Sequence, residues 1–253
     1  MTSRRLSLIG LTALPDVAAG DDLAHLILSA LDAAGERIEP GDAIVVAQKI
    51  VSKAEGRAVR VDTVTPSPAA DALALEASKD PRHMELLLGE THEILRVRPG
   101  IVVVEDRRGL VLANAGIDAS NVSTDGESLL LLPLDPDASA AKLGAALGTL
   151  CGIVPAVLVI DSIGRAWRQG TIGTAIGVSG MAALLDLRGR PDMNGRPLQT
   201  SELAIADELA AAASIVMGQA DERCPVVLAR GLPFSGDGRA SDLIRPRAMD
   251  MFR

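Results

Sequence analysis

The stretch Pro155–Gly180, PAVLVIDSIGRAWRQGTIGTAIGVSG, decides how the chain is read. Ala156 to Ile160 is a short, wholly apolar run, which predicts a buried strand. Asp161 and Ser162 follow at once, so this strand is expected to end in a carboxylate and a hydroxyl. No helical periodicity comes next. Gly164 to Gly180 is glycine-rich and polar and reads as an irregular segment, with a short strand over Met181 to Leu187. A doubly wound sheet would place a helix directly after such a strand.

The same irregular order continues outward. Upstream, Leu6 to Leu11 and Ala43 to Ala47 read as strands. Asp21 to Ala34 has helical spacing (Leu23, Ile27, Leu28, Leu31), with Asp21 as its N-cap. Pro66-Ser67-Pro68 opens a helical stretch to about Ser78, and Pro81 to Leu88 reads as another helix. Strands follow at Ile101–Glu105 and Leu110–Ala113, joined by the turn Asp106-Arg107-Arg108-Gly109. Leu129 to Leu132 reads as a strand and Asp137 to Leu150 as a helix. Downstream, Thr200 to Met217 is expected to be one helix capped by Thr200 or Ser201, and Pro225 to Ala229 a closing strand. The tail after Phe234 is polar and expected to be partly mobile. Strands and helices mix without steady alternation, which favours an α+β fold. Neither a repeat nor a low-complexity linker is present. One domain over residues 1–253 is expected, with a subdomain edge at the composition change near 189–197.

The bulk properties narrow the function. The chain has 253 residues, 48% of them hydrophobic and 23% charged, as in a globular protein with a sizeable core. Aromatics are only 1%, so aliphatic side chains must fill that core. A formal charge of −8 argues against a sequence-independent nucleic-acid binder. No apolar run reaches the roughly 18 residues of a membrane span, and the N-terminus carries no signal-peptide pattern. Cys151 and Cys224 lack metal-ligand spacing and read as reduced thiols of a cytoplasmic protein. His25, His83 and His92 are scattered and form no ligand pair.

No standard phosphate loop is present. The candidate chemistry lies in five other places, each with an ordinary structural reading beside it. Asn114-Ala-Gly-Ile-Asp118-Ala-Ser-Asn121 gathers an acid and two amides that could present oxygens to a hard cation, or could form an Asx-rich turn. Asp161-Ser162 suits metal–phosphate chemistry, or caps the next turn. Gly164 to Gly173 sets Arg165 and Arg168 around the only tryptophan, Trp167, and arginine forks match phosphate and carboxylate. The alternative there is a solvated loop. Lys49 and Lys53 share a helix face after the strand ending at Ala47, facing an anion or solvent. Met217-Gly218-Gln219-Ala-Asp221-Glu222 ends a helix, with Gly218 read first as a C-cap. Together these groups suit phosphoryl transfer, in which metal ions and cations neutralise the moving phosphate.

The ordered set Gln48–Arg57 (QKIVSKAEGR), Ala113–Val122 (ANAGIDASNV), Asp161–Gly170 (DSIGRAWRQG), TIGTAIGVSG and MGQADE resembles the coenzyme F420-0:L-glutamate ligase family over nearly the whole chain, roughly Leu8 to Gly231. The resemblance implies GTP-dependent addition of L-glutamate to F420-0, with further γ-linked additions, through an acyl phosphate. It implies Mg²⁺ or Mn²⁺, often with K⁺, and a two-part α+β fold forming an intertwined homodimer with its active-site groove at the interface. Carried over by motif, Asp118 and Asp161 are expected to be metal ligands, helped by Ser162 and Gln219. Gln48, Lys49, Lys53 and Asn121 are expected to contact the nucleotide, as are Leu11, Thr12, Ala13 and Leu14 and the backbone around Met217 and Gly218. Arg165 and Arg168 are assigned to phosphate or substrate carboxylate. Many relatives carry Thr where this chain has Ser162, which keeps the hydroxyl, and some carry Ser at the position of Gln48. Some relatives add a flavin-reductase-like domain. This chain ends before one could begin, so the stand-alone type is expected. The residues by themselves leave two other readings open: an amino-acid ligase for a different carboxylate, and a non-catalytic nucleotide-binding dimer.

Overall fold

In a computed structural model, which describes residues 5–119, 127–232 and 236–252, the chain begins with β1 (Ser7–Leu11), α1 (Leu23–Ala33), β2 (Ala43–Ala47) and α2 (Gln48–Ala54). β3 (Ala58–Arg60), α3 (Pro68–Ala77), α4 (Pro81–Glu90), β4 (Thr91–Arg98), β5 (Ile101–Asp106) and β6 (Val111–Ala113) follow. Then come β7 (Ser128–Leu130), α5 (Pro136–Cys151), β8 (Ala156–Arg165), β9 (Arg168–Ser179), β10 (Leu185–Asp186), β11 (Glu202–Leu203), α6 (Ile205–Met217) and β12 (Val226–Arg230). The mixture is α+β, as the sequence implies.

The central sheet has five strands in the order β1–β12–β2–β8–β9. Only β2 and β8 run parallel; the other neighbours are antiparallel. β2 and the first half of β8 are apolar throughout because both faces of the sheet are covered there. Ile44, Val46, Val157, Val159, Val226 and Leu228 face a core with Ile27 and Leu31 of α1 and Leu143 and Leu147 of α5. Their neighbours Ala43, Val45, Leu158, Ile160, Val227 and Ala229 face Leu209, Ala210 and Ala213 of α6. A third core joins Leu73 and Ala77 of α3, Met84 and Leu87 of α4, and Val102 and Val104 of β5.

Buried charges tie that third unit to the rest. Glu90 at the end of α4 accepts from Arg57 at 2.7 Å and from Arg108 at 2.9 Å. Arg108 also donates to Asp106 at 2.8 Å and to the Pro133 carbonyl at 3.1 Å, while Arg57 reaches the Leu132 carbonyl at 2.9 Å. No fully buried side-chain nitrogen or oxygen among the described residues lacks a partner, which is the condition under which buried charge is tolerated.

The structure departs from the sequence expectations in instructive places. Gly164 to Gly180 is not an irregular segment: most of it is the twelve-residue strand β9. Its glycines are sites of close approach. A Cβ at Gly173 would run into the α6 backbone at Ala210, and one at Gly177 into Pro136 of α5. Met181–Leu187 contributes only the two-residue β10, because Met181 and Ala183 turn into the second core. The helix expected from Thr200 begins at Ile205, since Glu202 and Leu203 pair with β10 and the Ser201 carbonyl accepts from Leu187. Asp22, not Asp21, caps α1, by accepting from Ala24 and His25. β4 escapes the sequence reading because its alternation mixes charged and apolar residues. Part of the polar tail is ordered: Ala240 is buried and Arg247 pairs with Glu93 at 2.8 Å.

Candidate metal and nucleotide site

The register of the sheet brings the candidate segments to one end. Leu11 pairs with Val226, Val226 with Val46, and Ala47 with Ile160. The end of β1, the segment before β12, the β2–α2 junction and Asp161 therefore lie along one edge, at the carboxyl ends of the parallel pair, where open sheets bind ligands. α6 packs on β1 as well, and its Val216 lies against Gly10, so Met217 and Gly218 end beside the exit of β1. Leu11 and Met217 are buried, Thr12 and Ala13 are exposed and Leu14 is half-buried.

Asp161 is not the end of its strand, as the apolar run suggested. β8 continues to Arg165, but its parallel neighbour β2 stops at Ala47, opposite Ile160. From Asp161 onward only β9 pairs with β8. The space that β2 would fill is taken by α2, which starts directly after it with no side-chain cap.

α2 is amphipathic in a particular way. Gln48 and Ser52 are buried and bonded to each other, with the Ser52 hydroxyl donating to Gln48 Oε1 at 2.9 Å. Gln48 thus stabilises the helix with the carbonyl oxygen of its amide. Lys49 is half-buried and its Nζ lies 2.5 Å from Asp118 Oδ2. Lys53, one turn on, makes no ion pair among the described residues.

Asp118 is positioned by an unusual turn. Asn114, Ala115 and Gly116 have φ of 51°, 54° and 67°, a left-handed 3₁₀ turn directly after β6. Asn114 Oδ1 accepts from the Val102 N–H at 3.1 Å, so the Asx-turn reading holds for this residue. Gly116 leaves no room for a side chain, because Leu132 and Leu112 fill the space. Beyond the turn, Asp118 and Leu130 exchange backbone hydrogen bonds at 3.0 and 2.8 Å, which holds the carboxylate toward α2.

Asp118 and Asp161 sense each other. Burial pushes the Asp161 carboxyl up to about 6, and the nearby Asp118 carboxylate pushes it the same way. The Ser162 N–H, which donates to Asp161 Oδ1 at 2.8 Å, and the Lys49 ammonium pull it back. Two acids, 43 residues apart in sequence and facing one ammonium, leave one negative charge uncompensated. A hard divalent cation matches that deficit and takes oxygen donors of this kind.

Ser162 and Gln219 also meet, with the hydroxyl donating to Gln219 Oε1 at 2.6 Å. Consecutive strand residues point to opposite faces, so this pair lies on the α6 side of β8 and Asp161 on the α2 side. The turn after α6 is held by Glu222, which accepts from the Ala220 N–H at 2.8 Å; such backbone donors keep its carboxyl below the usual range. Arg165 and Arg168 stand further out, at the tip of the β8–β9 hairpin. Asn121 lies outside the described residues. No cluster of three or more His, Cys, Asp or Glu suited to a metal occurs among the described residues. No helix among those residues is long and apolar enough to cross a membrane.

Comparison with known proteins gives the family. Residues 12–231 match the model of F420-0:gamma-glutamyl ligases. The chain belongs to this family. It is 48% identical to the coenzyme F420:L-glutamate ligase of Methanothermobacter thermautotrophicus, over 98% of this chain and 99% of the relative. Corresponding ligases of Methanocaldococcus jannaschii and Archaeoglobus fulgidus are 43% and 40% identical, over 99% and 98% of this chain and 98% and 97% of theirs. The matched span of this family member includes β1's exit, α2, Asp118, Asp161 and the turn after α6.

Proposed function

We propose that this chain is a ligase that joins L-glutamate to F420-0, and extends the product by further γ-linked glutamates, using GTP as phosphoryl donor. The observation that supports this reading most is the meeting of Asp118, Asp161 and Lys49 at the sheet edge that also receives Leu11–Leu14 and the turn after Met217. In the first step an oxygen of the substrate's terminal carboxylate attacks the γ-phosphorus and GDP leaves, giving an acyl phosphate. In the second, the glutamate amine attacks the acyl carbon, phosphate leaves and the nitrogen gives up a proton.

Each residue contributes by position and charge. Asp118 and Asp161 hold Mg²⁺ or Mn²⁺ on the α2 side of β8, and Ser162 and Gln219, bonded to each other, offer neutral oxygens on its α6 side. The ion supplies charge neutralisation at the phosphates when bound. Lys49 fixes Asp118 and adds positive charge facing the phosphates, and Lys53 and Asn121 extend that contact. Gln48 positions Ser52 and the start of α2. Leu11 to Leu14 and the backbone of Met217 and Gly218 line the guanine nucleotide. Arg165 and Arg168 take phosphate or substrate carboxylate. K⁺ acts as an additional activator, and an intertwined homodimer places the groove between two copies.

The test is incubation with F420-0, GTP, glutamate, Mg²⁺ and K⁺, read by mass spectrometry and phosphate release, with ATP in parallel. The expected product is heavier by one or more glutamyl residues, and Asp118→Asn abolishes it while the protein stays folded. Nucleotide binding with no glutamylated product under these conditions overturns the reading.

A further inference from the structure

A cavity of about 640 Å³ opens at the end of the sheet opposite Asp161. It lies between the last turn of α1, the loop that leads into β2, and the end of α5. That volume suits a small organic ligand. The whole of β2 separates this cavity from the junction with α2, and the four steps from Ala43 to Ala47 span roughly 13 Å. A molecule held here is therefore outside the metal and nucleotide edge.

The floor is aliphatic. Leu31 and Ile38 are buried in the first core, and Leu28 and Ile153 are half-buried against it. The walls are acidic. Asp32, Glu36 and Glu39 line them, with Arg37 as the only cation among the described residues. Arg37 reaches Glu39 at 3.7 Å with its side chain 86% exposed. Behind the wall, Arg230 is shared by Glu36 at 3.1 Å, Glu39 at 3.7 Å and the buried Asp42 at 2.8 Å. Asp32 makes no ion pair among the described residues. Four carboxylates thus answer two guanidinium groups, and two negative charges stay uncompensated. The helices add to this field. α1 and α5 both end at the cavity with no basic residue in the last turn, and a helix C-terminus carries about half a negative charge.

These two properties select a class of ligand. A hard metal ion needs oxygens around it, and the floor offers hydrocarbon. An anion meets repulsion. A neutral apolar molecule leaves the acids unanswered. An ammonium or guanidinium group on an apolar stem meets both conditions, because the stem covers Leu28 and Ile153 while the head donates charge-assisted hydrogen bonds to the wall.

We propose that this cavity is a second ligand site, separate from the ligase chemistry, which takes a small organic cation: a primary amine or a guanidine carried on an aliphatic stem. Asp32, beside the end of α1, receives the charged head together with Glu39. Leu28, Ile38 and Ile153 receive the stem.

Hexylamine is the probe, with hexanol, hexanoate and methylamine as controls for charge and for stem. Calorimetry on the wild-type protein at pH 7.5 and low salt should show hexylamine binding more tightly than all three. The order should hold with Mg²⁺ and GTP present. Asp32→Asn with Glu39→Gln should weaken hexylamine roughly tenfold, the value of a hydrogen bond to a charged group, and leave hexanol unchanged. Asp32→Asn alone, a change on an exposed helix surface, is the second variant, and circular dichroism checks the fold of both.

Cys151 on the cavity wall gives an independent reading. It is exposed, whereas Cys224 is buried with its thiol pushed up by that burial, so thiol reagents reach Cys151 first. A cationic methanethiosulfonate should label it faster than an anionic one, after each rate is divided by that for free N-acetylcysteine, and added salt should shrink the ratio. Hexylamine should protect the thiol and hexanoate should not. The proposal is overturned if hexylamine binds no better than hexanol, if the double variant leaves its Kd unmoved, or if the nucleotide displaces it. Equal protection of Cys151 by hexylamine and hexanoate overturns it as well. None of these readings uses turnover, so an inactive protein sinks the ligase reading and leaves this one to be decided by binding.

Discussion

Replacing Asp161 with Asn should stabilise the metal-free protein at neutral pH. In the unfolded chain the carboxyl titrates near 3.8, and in the fold near 6. Between those values the folded state holds a proton that the unfolded chain has released, so stability falls as pH rises from about 4 to 6. Above 6 the cost is fully present, and below 3.8 it is gone. The gap between 3.8 and about 6 corresponds to about 3 kcal/mol. Asparagine has the same shape, carries no charge, and its amide oxygen still accepts from the Ser162 N–H. The variant should therefore gain up to about 3 kcal/mol over wild type at pH 7.5 in EDTA, and nothing at pH 3.5.

Mg²⁺ should reverse the order. An ion bound only by the folded state adds about 2.7 kcal/mol at a hundredfold excess over its Kd, and Asp161→Asn forfeits that gain. The assay is urea unfolding followed by far-UV circular dichroism at pH 3.5, 5, 6 and 7.5, with EDTA and with Mg²⁺. Tryptophan emission is a poor monitor because Trp167 is already exposed. Refutation is simple to recognise: a variant less stable than wild type at pH 7.5 in EDTA means that the carboxylate is held by bonds instead of strained by burial. Equal stabilisation of both proteins by Mg²⁺ removes Asp161 from the ion site.

Three further expectations follow the same physics. Glu90→Gln leaves Arg57 and Arg108 around a neutral amide and should cost about 3–5 kcal/mol in denaturant unfolding; a loss below 1 kcal/mol would mean the knot is solvated. Gly116→Ala must place a methyl group against Leu132 at positive φ, so a loss of roughly 1–3 kcal/mol is expected, together with weaker Mg²⁺ binding because Asp118 follows this turn; unchanged metal affinity in calorimetry would separate the turn from the site. Lys49→Met removes a charge that lowers the Asp161 carboxyl, so NMR titration should find that carboxyl titrating above its wild-type value, and an unmoved titration would show that Lys49 points elsewhere in solution.

What the sequence made legible was decided by how local each signal is. The strands at Ala43–Ala47 and Val226–Arg230 are short apolar runs that were readable because both faces are buried, and Ser7–Leu11, half-buried at the sheet edge, was readable from the same kind of run. β9 was not, because Gly173 and Gly177 look like loop residues until α5 and α6 are laid against them. The helix ending at Met217 was visible, but its start was not, since Thr200 and Ser201 carry good capping side chains whose backbone is committed to the β10–β11 region. In the site, Asp118, Asp161, Lys49, Ser162 and Gln219 could be named from their motifs. That Lys49 holds Asp118, or that Ser162 bonds Gln219, is set by sheet register and by the left-handed turn at Asn114–Gly116, which no spacing along the chain encodes. Phe252 carried no signal at all, because its partner Trp167 lies 85 residues earlier.

The placement of Asp161 explains why these features occur together. A strand ending with its neighbours would have put this carboxyl in open water, where it would ionise at no cost and attract a cation weakly. β8 instead outruns β2 by the five residues 161–165, so the carboxyl is walled in by α2 on the side that β2 vacates. The same overrun lifts Arg165 and Trp167 out of the sheet on an arm supported only by β9. One mismatch in strand length thus produces both a carboxyl that is costly to ionise and an outer tip that carries two arginines and an exposed ring. Shortening the arm by deleting Gly164 and Thr171, which pair across it, should therefore leave the pH dependence of unfolding that Asp161 confers unchanged, because the carboxyl sits where β2 stops and not at the tip. Loss of that pH dependence in urea unfolding would mean that the arm and the carboxyl are a single structural unit.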